Sequence, residues 1–350
     1  MNKDVMNHEK GSSPYDAIIE WKINEACNFK CVYCGSSSQS GNAYNRYSDR
    51  IAHFFENTDK TFLVCMWGGE TFLYPRFVEF CESITKKHYI KIYTNLTSSR
   101  INDFAERISP ERVGFIDCSL HIDERERCGR VEDFINKFLL LQKKGFNVAA
   151  TQVAYPPVLA RFDELYRFFG SHGITLFPKI FVGWHQGHYP QEYTRGERDK
   201  IDFYSRLSKS ELQRVTTYYG PHDLCVPLTQ GSYSWRGLPC RAGKEVIFLD
   251  CDGTFTRCIT DHENLGSVTT GELKVHTEPQ ICNADICQCP SHGLQLAAGR
   301  PVILVRMYNM RELSLYRHIK SFVNPMINGL FAGKKVLGRI RKITADEEVT

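Results

Sequence analysis

Short hydrophobic runs alternate with amphipathic stretches through the first half of the chain. The runs are rich in β-branched and aromatic residues and predict six strands, at residues 17–23, 62–67, 90–94, 113–120, 148–154 and 175–180. Between them apolar side chains recur at helical spacing, as at Phe77, Phe80, Cys81 and Ile84. This alternation predicts an α/β fold with repeated βα units and a parallel sheet. Six units are too few for a closed eight-stranded barrel, so we expect a partial (βα)6 barrel or an open sheet, with its site at the carboxyl ends of the strands.

The second half of the chain follows a different pattern. Residues 181–239 are irregular, with short helices expected near 195–207 and 209–218. Two β-rich runs then surround Asp252–Gly253, which is a strong hairpin signal. The sequence therefore predicts five parts: a flexible N-terminus at 1–14, a partial barrel at 15–180, a connecting segment at 181–239, a small cysteine-rich hairpin domain at 240–299 and a basic helical tail at 300–350.

Composition narrows the class of protein. Hydrophobic residues make up 42% of the chain and charged residues 24%, which excludes a disordered chain, a collagen and a coiled coil. No apolar run reaches the roughly 18 residues of a membrane span. The first residues are polar and lack the apolar segment of a secretory signal, so we expect a cytoplasmic protein.

Positive charge is concentrated in the tail. The formal net charge of +4 is too small to predict nucleic-acid binding, but residues 300–343 hold ten Lys or Arg against one acid, Glu312. Apolar residues lie among them at near-helical spacing, a pattern that can bind an anionic membrane or a lipid-linked substrate. Packing of the tail against the barrel or a partner is the alternative interpretation.

Three of the 14 cysteines form a motif directly after the first predicted strand. Cys27, Cys31 and Cys34 have the spacing C-x3-C-x2-C, and clustered cysteines without an export signal more often bind metal than form disulfides. Three thiolates on one loop can hold a [4Fe-4S] cluster and leave one of its irons free. Zinc is the alternative, but a structural zinc site uses four ligands and no fourth is evident nearby.

A second motif, Gly68–Gly69–Glu70, follows the second predicted strand. Glycines at the end of a strand let the backbone approach a ligand closely, and a carboxylate can accept a hydrogen bond from an ammonium group. Alone this motif could be a plain turn. Its position one βα unit after the cysteine motif indicates a shared cofactor site.

The two motifs together resemble those of the radical S-adenosylmethionine (SAM) superfamily. The resemblance covers residues 15–180 and rests on CNFKCVYC at 27–34, with the aromatic Tyr33 before the last cysteine, and on GGE at 68–70. It implies an enzyme in which the free iron of a [4Fe-4S] cluster binds SAM. Reductive cleavage of SAM then gives a 5′-deoxyadenosyl radical, which abstracts a hydrogen atom from a small-molecule substrate. The electron implies a reductase partner such as flavodoxin or ferredoxin.

The resemblance also implies roles for individual residues. Tyr33 would back the adenine, and the GGE motif would hold the methionine ammonium group. Polar residues end the third and fourth predicted strands, where related enzymes contact the ribose and the carboxylate, with turn or capping roles as the alternative: Thr94, Asn95 and Ser119.

A second cysteine group surrounds the predicted hairpin. Cys240 and Cys258 form a C-x12-G-x4-C pattern that resembles the opening of the SPASM/twitch extension, and a hairpin brings its ends together. The completing ligands would be among Cys282, Cys287 and Cys289. This departs from the SPASM pattern, which has more cysteines at wider spacing and binds two clusters. We expect one auxiliary [4Fe-4S] cluster, with zinc as the alternative.

Catalytic candidates lie around the end of the fourth predicted strand. His121 follows that strand, and Cys118 and Cys128 lie on either side of His121 in the chain. In epimerising relatives a cysteine returns a hydrogen atom to the substrate, while a structural histidine and core cysteines are the alternatives. The loop after the sixth predicted strand adds substrate-facing candidates: His185, His188 and Tyr189.

The sequence thus predicts a radical SAM enzyme of the oxidoreductase or epimerase type. Its substrate is expected to be small and sugar-like. One alternative is a peptide-modifying maturase, although the 26 residues before Cys27 leave no room for an N-terminal peptide-binding domain. The other is a non-catalytic, zinc-stabilised binding protein.

Overall fold

The structure is a computed structural model that describes residues 14–34, 48–215 and 236–285. The predicted tail at 300–350, most of the predicted N-terminal segment and the candidate ligands Cys287 and Cys289 lie outside the described residues.

Six parallel strands form the centre of the molecule. They confirm the six predicted strands and pair in chain order, each parallel to the next: β1 (Ala17–Asn24), β2 (Phe62–Gly68), β3 (Tyr89–Thr94), β4 (Val113–Ser119), β5 (Val148–Val153) and β6 (Leu176–Lys179). Helices fill the connections between them and follow the last: α1 (Ser48–Asn57), α2 (Phe77–Ile84), α3 (Arg100–Arg107), α4 (Ile122–Arg127), α5 (Val131–Lys143), α6 (Pro156–Ala160), α7 (Phe162–Ser171) and α8 (Arg195–Val215).

The two faces of this sheet differ in composition. Alternate residues of each strand, such as Ile19 and Trp21 of β1, join one large apolar core with the helices. The opposite face, which we call the inner face, has a small apolar cluster of Ile18, Leu63, Cys65 and Val246, with charged side chains further along the strands.

Short strands follow the sixth unit. They are β7 (Gly183–Trp184), β8 (His188–Tyr189), β9 (Pro239–Cys240), β10 (Val246–Leu249), β11 (Thr254–Thr256), β12 (Asn264–Ser267), β13 (Glu272–Leu273) and β14 (Gln280–Ile281). The predicted turn at Asp252–Gly253 joins β10 to β11, and Gly253 supplies the positive φ of 85° that this turn needs.

The hairpin continues the main sheet, although the sequence predicts a separate small domain. Strand β10 lies parallel to β1, and β11 to β13 extend the sheet in antiparallel order. The described sheet has ten strands in the order β13-β12-β11-β10-β1-β2-β3-β4-β5-β6, with no pairing between its two ends in the described ranges. The cause is the sequence of β10, Val-Ile-Phe-Leu, which is buried on both faces as strands within parallel sheets are.

One long helix replaces the two short helices expected near 195–207 and 209–218. Helix α8 is continuous because neither Gly nor Pro interrupts the chain from Glu197 to Val215. The buried Ser208 lies between the two predicted stretches, and its hydroxyl donates to the Leu176 carbonyl at 3.3 Å. In the described ranges none of the helices is both long and apolar enough to cross a membrane.

Candidate functional site

The three cysteines of the first motif lie on a loop that starts where β1 ends. We call residues 25–34 the cysteine loop. Cys27 and Cys31 are half-buried and Cys34 is exposed. Within the described residues, no three His, Cys, Asp or Glu side chains converge on a position for a single metal ion. A [4Fe-4S] cluster differs from a single ion because each cysteine binds a different iron.

The chemistry of this loop fits a cluster. Burial raises the pKa of Cys27 to about 11 and that of Cys31 to about 12, and the neighbouring thiols add to both shifts. The three sulfur atoms therefore lie within electrostatic reach of one another. The Phe29 amide donates to the Cys27 sulfur at 3.5 Å, a hydrogen bond that favours a metal-bound thiolate.

Gly68 and Gly69 seat the cysteine loop on the end of β2. The Gly69 amide donates to the Asn24 carbonyl at 3.1 Å, and the Glu70 amide donates to the Ala26 carbonyl at 2.7 Å. A β-carbon at Gly68 would lie 2.1 Å from the Asn24 carbonyl oxygen, and one at Gly69 would lie 2.0 Å from that of Ala26. Both glycines are therefore required by the backbone of the loop itself.

Glu70 is fully buried and fixes the end of β2 to the end of β3. Its carboxylate accepts hydrogen bonds from the Thr94 hydroxyl at 2.6 Å, the Asn95 amide at 2.6 Å and the Phe72 amide at 3.1 Å. Burial raises the pKa of Glu70, while these hydrogen bonds and the charge of Arg125 favour its ionised form. Both carboxylate oxygens are thus occupied by donors of the protein.

Thr94 and Asn95, predicted as cofactor contacts, form hydrogen bonds that hold Glu70 and the cysteine loop in place. Asn28 of the loop accepts a hydrogen bond from the Asn95 side chain at 3.0 Å and donates to the Thr97 hydroxyl at 2.7 Å. Thr94 and Asn95 are themselves buried. Ser119, the third predicted contact, is half-buried at the end of β4, opposite Thr151 of β5.

Helix α4 holds the middle of the loop. The Lys30 amide donates to the Glu124 carboxylate at 3.0 Å, and Arg127, followed by the Lys30 amide, keeps the pKa of Glu124 low. The buried ring of Phe29 lies 5.5 Å from the Arg125 guanidinium. Sequence reasoning missed four residues of this site: Asn28, Phe29, Glu124 and Arg125. Asn28 and Phe29 could have been indicated by their position inside the cysteine motif, but Glu124 and Arg125 had no such signal.

Tyr33 links the end of the cysteine loop to His121. The Tyr33 hydroxyl and His121 Nδ1 are 2.7 Å apart, and the Tyr33 ring packs against Tyr155 with centroids 4.7 Å apart. His121 is half-buried and has a left-handed backbone with φ of 50°, which is uncommon for a residue other than glycine. Burial, followed by the charges of Arg125 and Lys179, lowers the pKa of His121 to about 4.

The other predicted catalytic residues lie apart from the cysteine loop. Cys118 is fully buried in the apolar core on the helix side of the sheet. Cys128 is exposed at the carboxyl end of α4. Of the candidates in the loop after β6, His185 packs edge-on against Tyr155, while His188 packs against the exposed ring of Trp184.

The second cysteine group brings together Cys240, Cys258 and Cys282. The three cysteine side chains pack together with Ala242 in one small apolar group. Strand β9 pairs with β14, so that Cys240 lies opposite Gln280. Backbone amides donate to two of the sulfurs, from Ala242 to Cys240 at 3.5 Å and from Asp261 to Cys258 at 3.2 Å. The predicted approach of Cys240 to Cys258 is present in the structure.

Arg257 fixes the chain around the second cysteine group. Its buried guanidinium donates to the carbonyls of Ala242 at 3.4 Å and Ile281 at 3.0 Å, and it forms an ion pair with Asp261. One side chain thus ties together the three segments that carry the cysteines.

The first site lies inside a segment that matches a known family. The profile described as the Radical SAM superfamily matches residues 21–169. The matched segment contains the end of β1, the cysteine loop, the GGE motif and β2 to β5, and the matched family implies SAM and a [4Fe-4S] cluster as cofactors.

One curated relative and two solved structures illustrate the similarity. An S-adenosylmethionine-dependent nucleotide dehydratase from Psychrobacter lutiphocae is 28% identical over a 148-residue alignment, and the match covers 36% of this chain and 48% of that protein. The match therefore spans about half the length of the relative.

The solved structures are anSMEcpe with bound AdoMet and anSMEcpe with AdoMet and the Kp18Cys peptide. Each has a TM-score of 0.51 and 16% identity, and each covers 72% of this chain, with 74% and 77% of the respective solved chains covered. At this identity the similarity shows the fold alone.

Proposed function

We propose that the chain is a radical SAM enzyme that abstracts a hydrogen atom from a small, hydroxyl-bearing substrate and thereby oxidises or epimerises it. The observation that carries this proposal is the seating of Cys27, Cys31 and Cys34 on Gly68–Gly69 at the carboxyl edge of a parallel sheet. That edge is where α/β folds place their sites.

The residues of the cysteine loop and its supports would hold the cofactors. Cys27, Cys31 and Cys34 would bind three irons of the [4Fe-4S] cluster. When bound, the cluster and SAM supply the electron and the radical for hydrogen abstraction. Tyr33 would present its ring to the adenine, and the backbone of the GGE motif would face the methionine ammonium group.

Thr94 and Asn95 contribute to the site by holding other residues of the protein in place. They fix Glu70 and Asn28, so they hold the GGE motif and the cysteine loop in one arrangement. Side chains that are held in this way keep a site in its working geometry before the ligand arrives.

His121 is the catalytic candidate that the geometry favours. Its Nδ1 is engaged by Tyr33, while Nε2 forms no hydrogen bond within the described residues. The unusual backbone conformation of His121 costs folding free energy, and such residues cluster at functional sites. His121 Nε2 would contact the substrate beside the adenine-backing Tyr33.

The second cysteine group would bind one auxiliary [4Fe-4S] cluster. Cys240, Cys258 and Cys282 supply three thiols, with a fourth from Cys287 or Cys289. Support comes from the two N–H···S hydrogen bonds, which stabilise thiolates, and from the clamp formed by Arg257. A cluster held there would supply an electron acceptor for an oxidation.

Dehydration of a nucleotide is the second candidate function. It is favoured by the name of the curated relative, which shares 28% identity with this chain over 148 residues. The two functions differ in the substrate and share the cofactor chemistry, so the first test addresses that shared chemistry.

The test replaces Cys27, Cys31 and Cys34 together by Ala and uses Cys128→Ala, at an exposed position outside both cysteine groups, as the control. We expect the triple variant to lose about four irons, retain about four in the second group and form no 5′-deoxyadenosine from SAM under reducing conditions. The control should match the wild type in iron content and SAM cleavage. Undiminished SAM cleavage in the triple variant would contradict the proposal, and a stoichiometric zinc content without iron would contradict both clusters.

A further inference from the structure

Charged side chains occupy the inner face of the sheet, where buried strands normally carry apolar residues. Glu20 of β1 lies opposite Cys65 of β2, which in turn lies opposite Lys91 of β3. One layer nearer the carboxyl edge, Tyr93 lies opposite Asp117 of β4. Glu20, Lys91 and Asp117 are all buried. Burying charges costs free energy, so the fold keeps these groups for a purpose other than packing.

The charges of the inner face are balanced. Each of its three lysines has a carboxylate neighbour: Lys22 has Glu25, Lys91 has Glu20, and Lys179 has Asp117. A polyphosphate needs a surplus of positive charge. The described part of this face offers no such surplus.

Asp117 and Lys179 form a pair at the carboxyl edge. The Asp117 carboxylate accepts from the Thr151 hydroxyl at 2.5 Å and lies 3.4 Å from the Lys179 ammonium group. Lys179 is the last residue of β6, its side chain is 38% exposed, and its ammonium lies 5.1 Å from the Tyr93 ring centroid. The pair is therefore accessible from the edge on which the cysteine loop lies.

The pair also lies within electrostatic reach of His121. Lys179 lowers the pKa of His121 and Asp117 raises it. His121 in turn contacts Tyr33 of the cysteine loop. A molecule held by Asp117 and Lys179 would thus sit next to the first site.

Trp67 adds an unused donor to the same face. Its indole Nε1 is buried and has no hydrogen-bond partner among the described residues. Its ring packs on Phe248 of β10, with the centroids 5.8 Å apart. A buried N–H without an acceptor is costly, and an oxygen atom of a bound molecule would satisfy it.

We propose that the inner face binds an uncharged, hydroxyl-rich molecule, such as a sugar or cyclitol ring, through Asp117 and Lys179. A hydroxyl group both donates and accepts, so neighbouring hydroxyls of a diol match a carboxylate that accepts and an ammonium that donates. Tyr93 and Trp67 supply aromatic surface for the carbon skeleton. This inference rests on the proposed function, because it takes the bound molecule to be the substrate.

The test measures equilibrium binding to the cluster-loaded protein with SAM, kept anaerobic and without reductant. The probes are myo-inositol and methyl α-D-glucoside as neutral polyols, and uridine triphosphate as a polyphosphate. We expect a polyol to bind saturably and more tightly than the nucleotide. Asp117→Asn and Lys179→Met should each weaken this binding at least tenfold, whereas Lys274→Met, at an exposed lysine of the hairpin region, should leave it unchanged.

Three results would overturn the inference. The first is that neither polyol binds saturably. The second is polyol binding that is unaffected in both Asp117→Asn and Lys179→Met while their far-ultraviolet circular dichroism matches the wild type. The third is tighter binding of uridine triphosphate that is lost in Lys179→Met. Because binding is measured without SAM cleavage, failure here is separate from failure to form 5′-deoxyadenosine, which tests the proposed function.

Discussion

Any side chain at Gly69 would clash with the backbone at the start of the cysteine loop, because its β-carbon would overlap main-chain atoms there. The neighbours of that position are main-chain atoms of Ala26 and Glu25, which cannot rotate away as a flexible side chain could. Gly68 is constrained in the same way and also has a φ of 148°. The GG pair therefore has a structural role in this chain, in addition to any contact that it makes with SAM.

Replacing Gly69 by Ala should displace the cysteine loop. Gly69→Ala is expected to lower the melting temperature and to reduce the iron bound after reconstitution to less than half of the wild-type value, because the new β-carbon would lie 2.0 Å from the Ala26 oxygen. The matched control is Gly170→Ala in α7, where no atom lies within 4 Å and Ala favours the helix by about 0.5–1 kcal/mol. Wild-type iron content in Gly69→Ala would refute the seating of the loop.

His121 should make the fold sensitive to acid. Its pKa is about 4 in the folded chain, against about 6.5 when unfolded, so the unfolded chain takes up a proton first as the pH falls. The free energy of unfolding should therefore decrease between pH 6.5 and pH 4. His121→Asn, which keeps a residue type that tolerates a left-handed backbone, should show a smaller decrease.

Urea unfolding at pH 7 and pH 4.5 measures this difference, and His53→Asn on the exposed side of α1 is the control. Other groups also titrate in this range, so the quantity to compare is the change in unfolding free energy between the two pH values in each variant. An equal change in wild type and His121→Asn would show that His121 is not buried in its neutral form.

At the level of elements, α4 connects the sheet to the cysteine loop. Arg125 is the centre of this connection, since its buried guanidinium donates to the carbonyls of Leu120, Arg130 and Asn95. Asn95 lies directly after β3, and Leu120 lies directly after β4. One side chain therefore fixes two neighbouring strand ends and the helix that contacts Lys30.

Loss of Arg125 should destabilise the fold. Arg125→Met leaves three backbone carbonyls without their donor, and we expect the free energy of unfolding to fall by at least about 2 kcal/mol. Arg127→Met is the matched control on the same helix, because its ion pair with Glu124 involves a largely exposed arginine and exposed ion pairs contribute little to stability. Equal stability of the two variants in urea would show that the buried contacts of Arg125 contribute nothing.

The features that could be predicted from the sequence are local in the chain. The cysteine spacing, the GGE motif and the six strands each lie within a few residues of one another in the chain. The contacts of Asn28 with Thr97 and of Lys30 with Glu124 join residues 69 and 94 positions apart. No periodicity indicates such pairs, because they depend on how strand ends meet in the folded sheet.

For the whole molecule, the central feature is that strands of one sheet connect directly to both cysteine groups. Strand β10 joins the hairpin to β1, so β10 and β11, which lie between Cys240 and Cys258 in the chain, belong to the same sheet as the strand that leads into the cysteine loop. The inner face, with its balanced charges, lies on this same sheet. One sheet would therefore provide both the proposed cofactor edge and the proposed substrate face.

The most direct measurement is the electron paramagnetic resonance spectrum of the reduced, reconstituted protein with and without SAM. The Cys240→Ala/Cys258→Ala variant is used so that the first cluster is observed alone. Three cysteines leave one iron of this cluster free, so SAM should bind that iron and change the g values of the reduced cluster. A [4Fe-4S] spectrum that is identical with and without saturating SAM, or a protein without any cluster signal, would contradict the account.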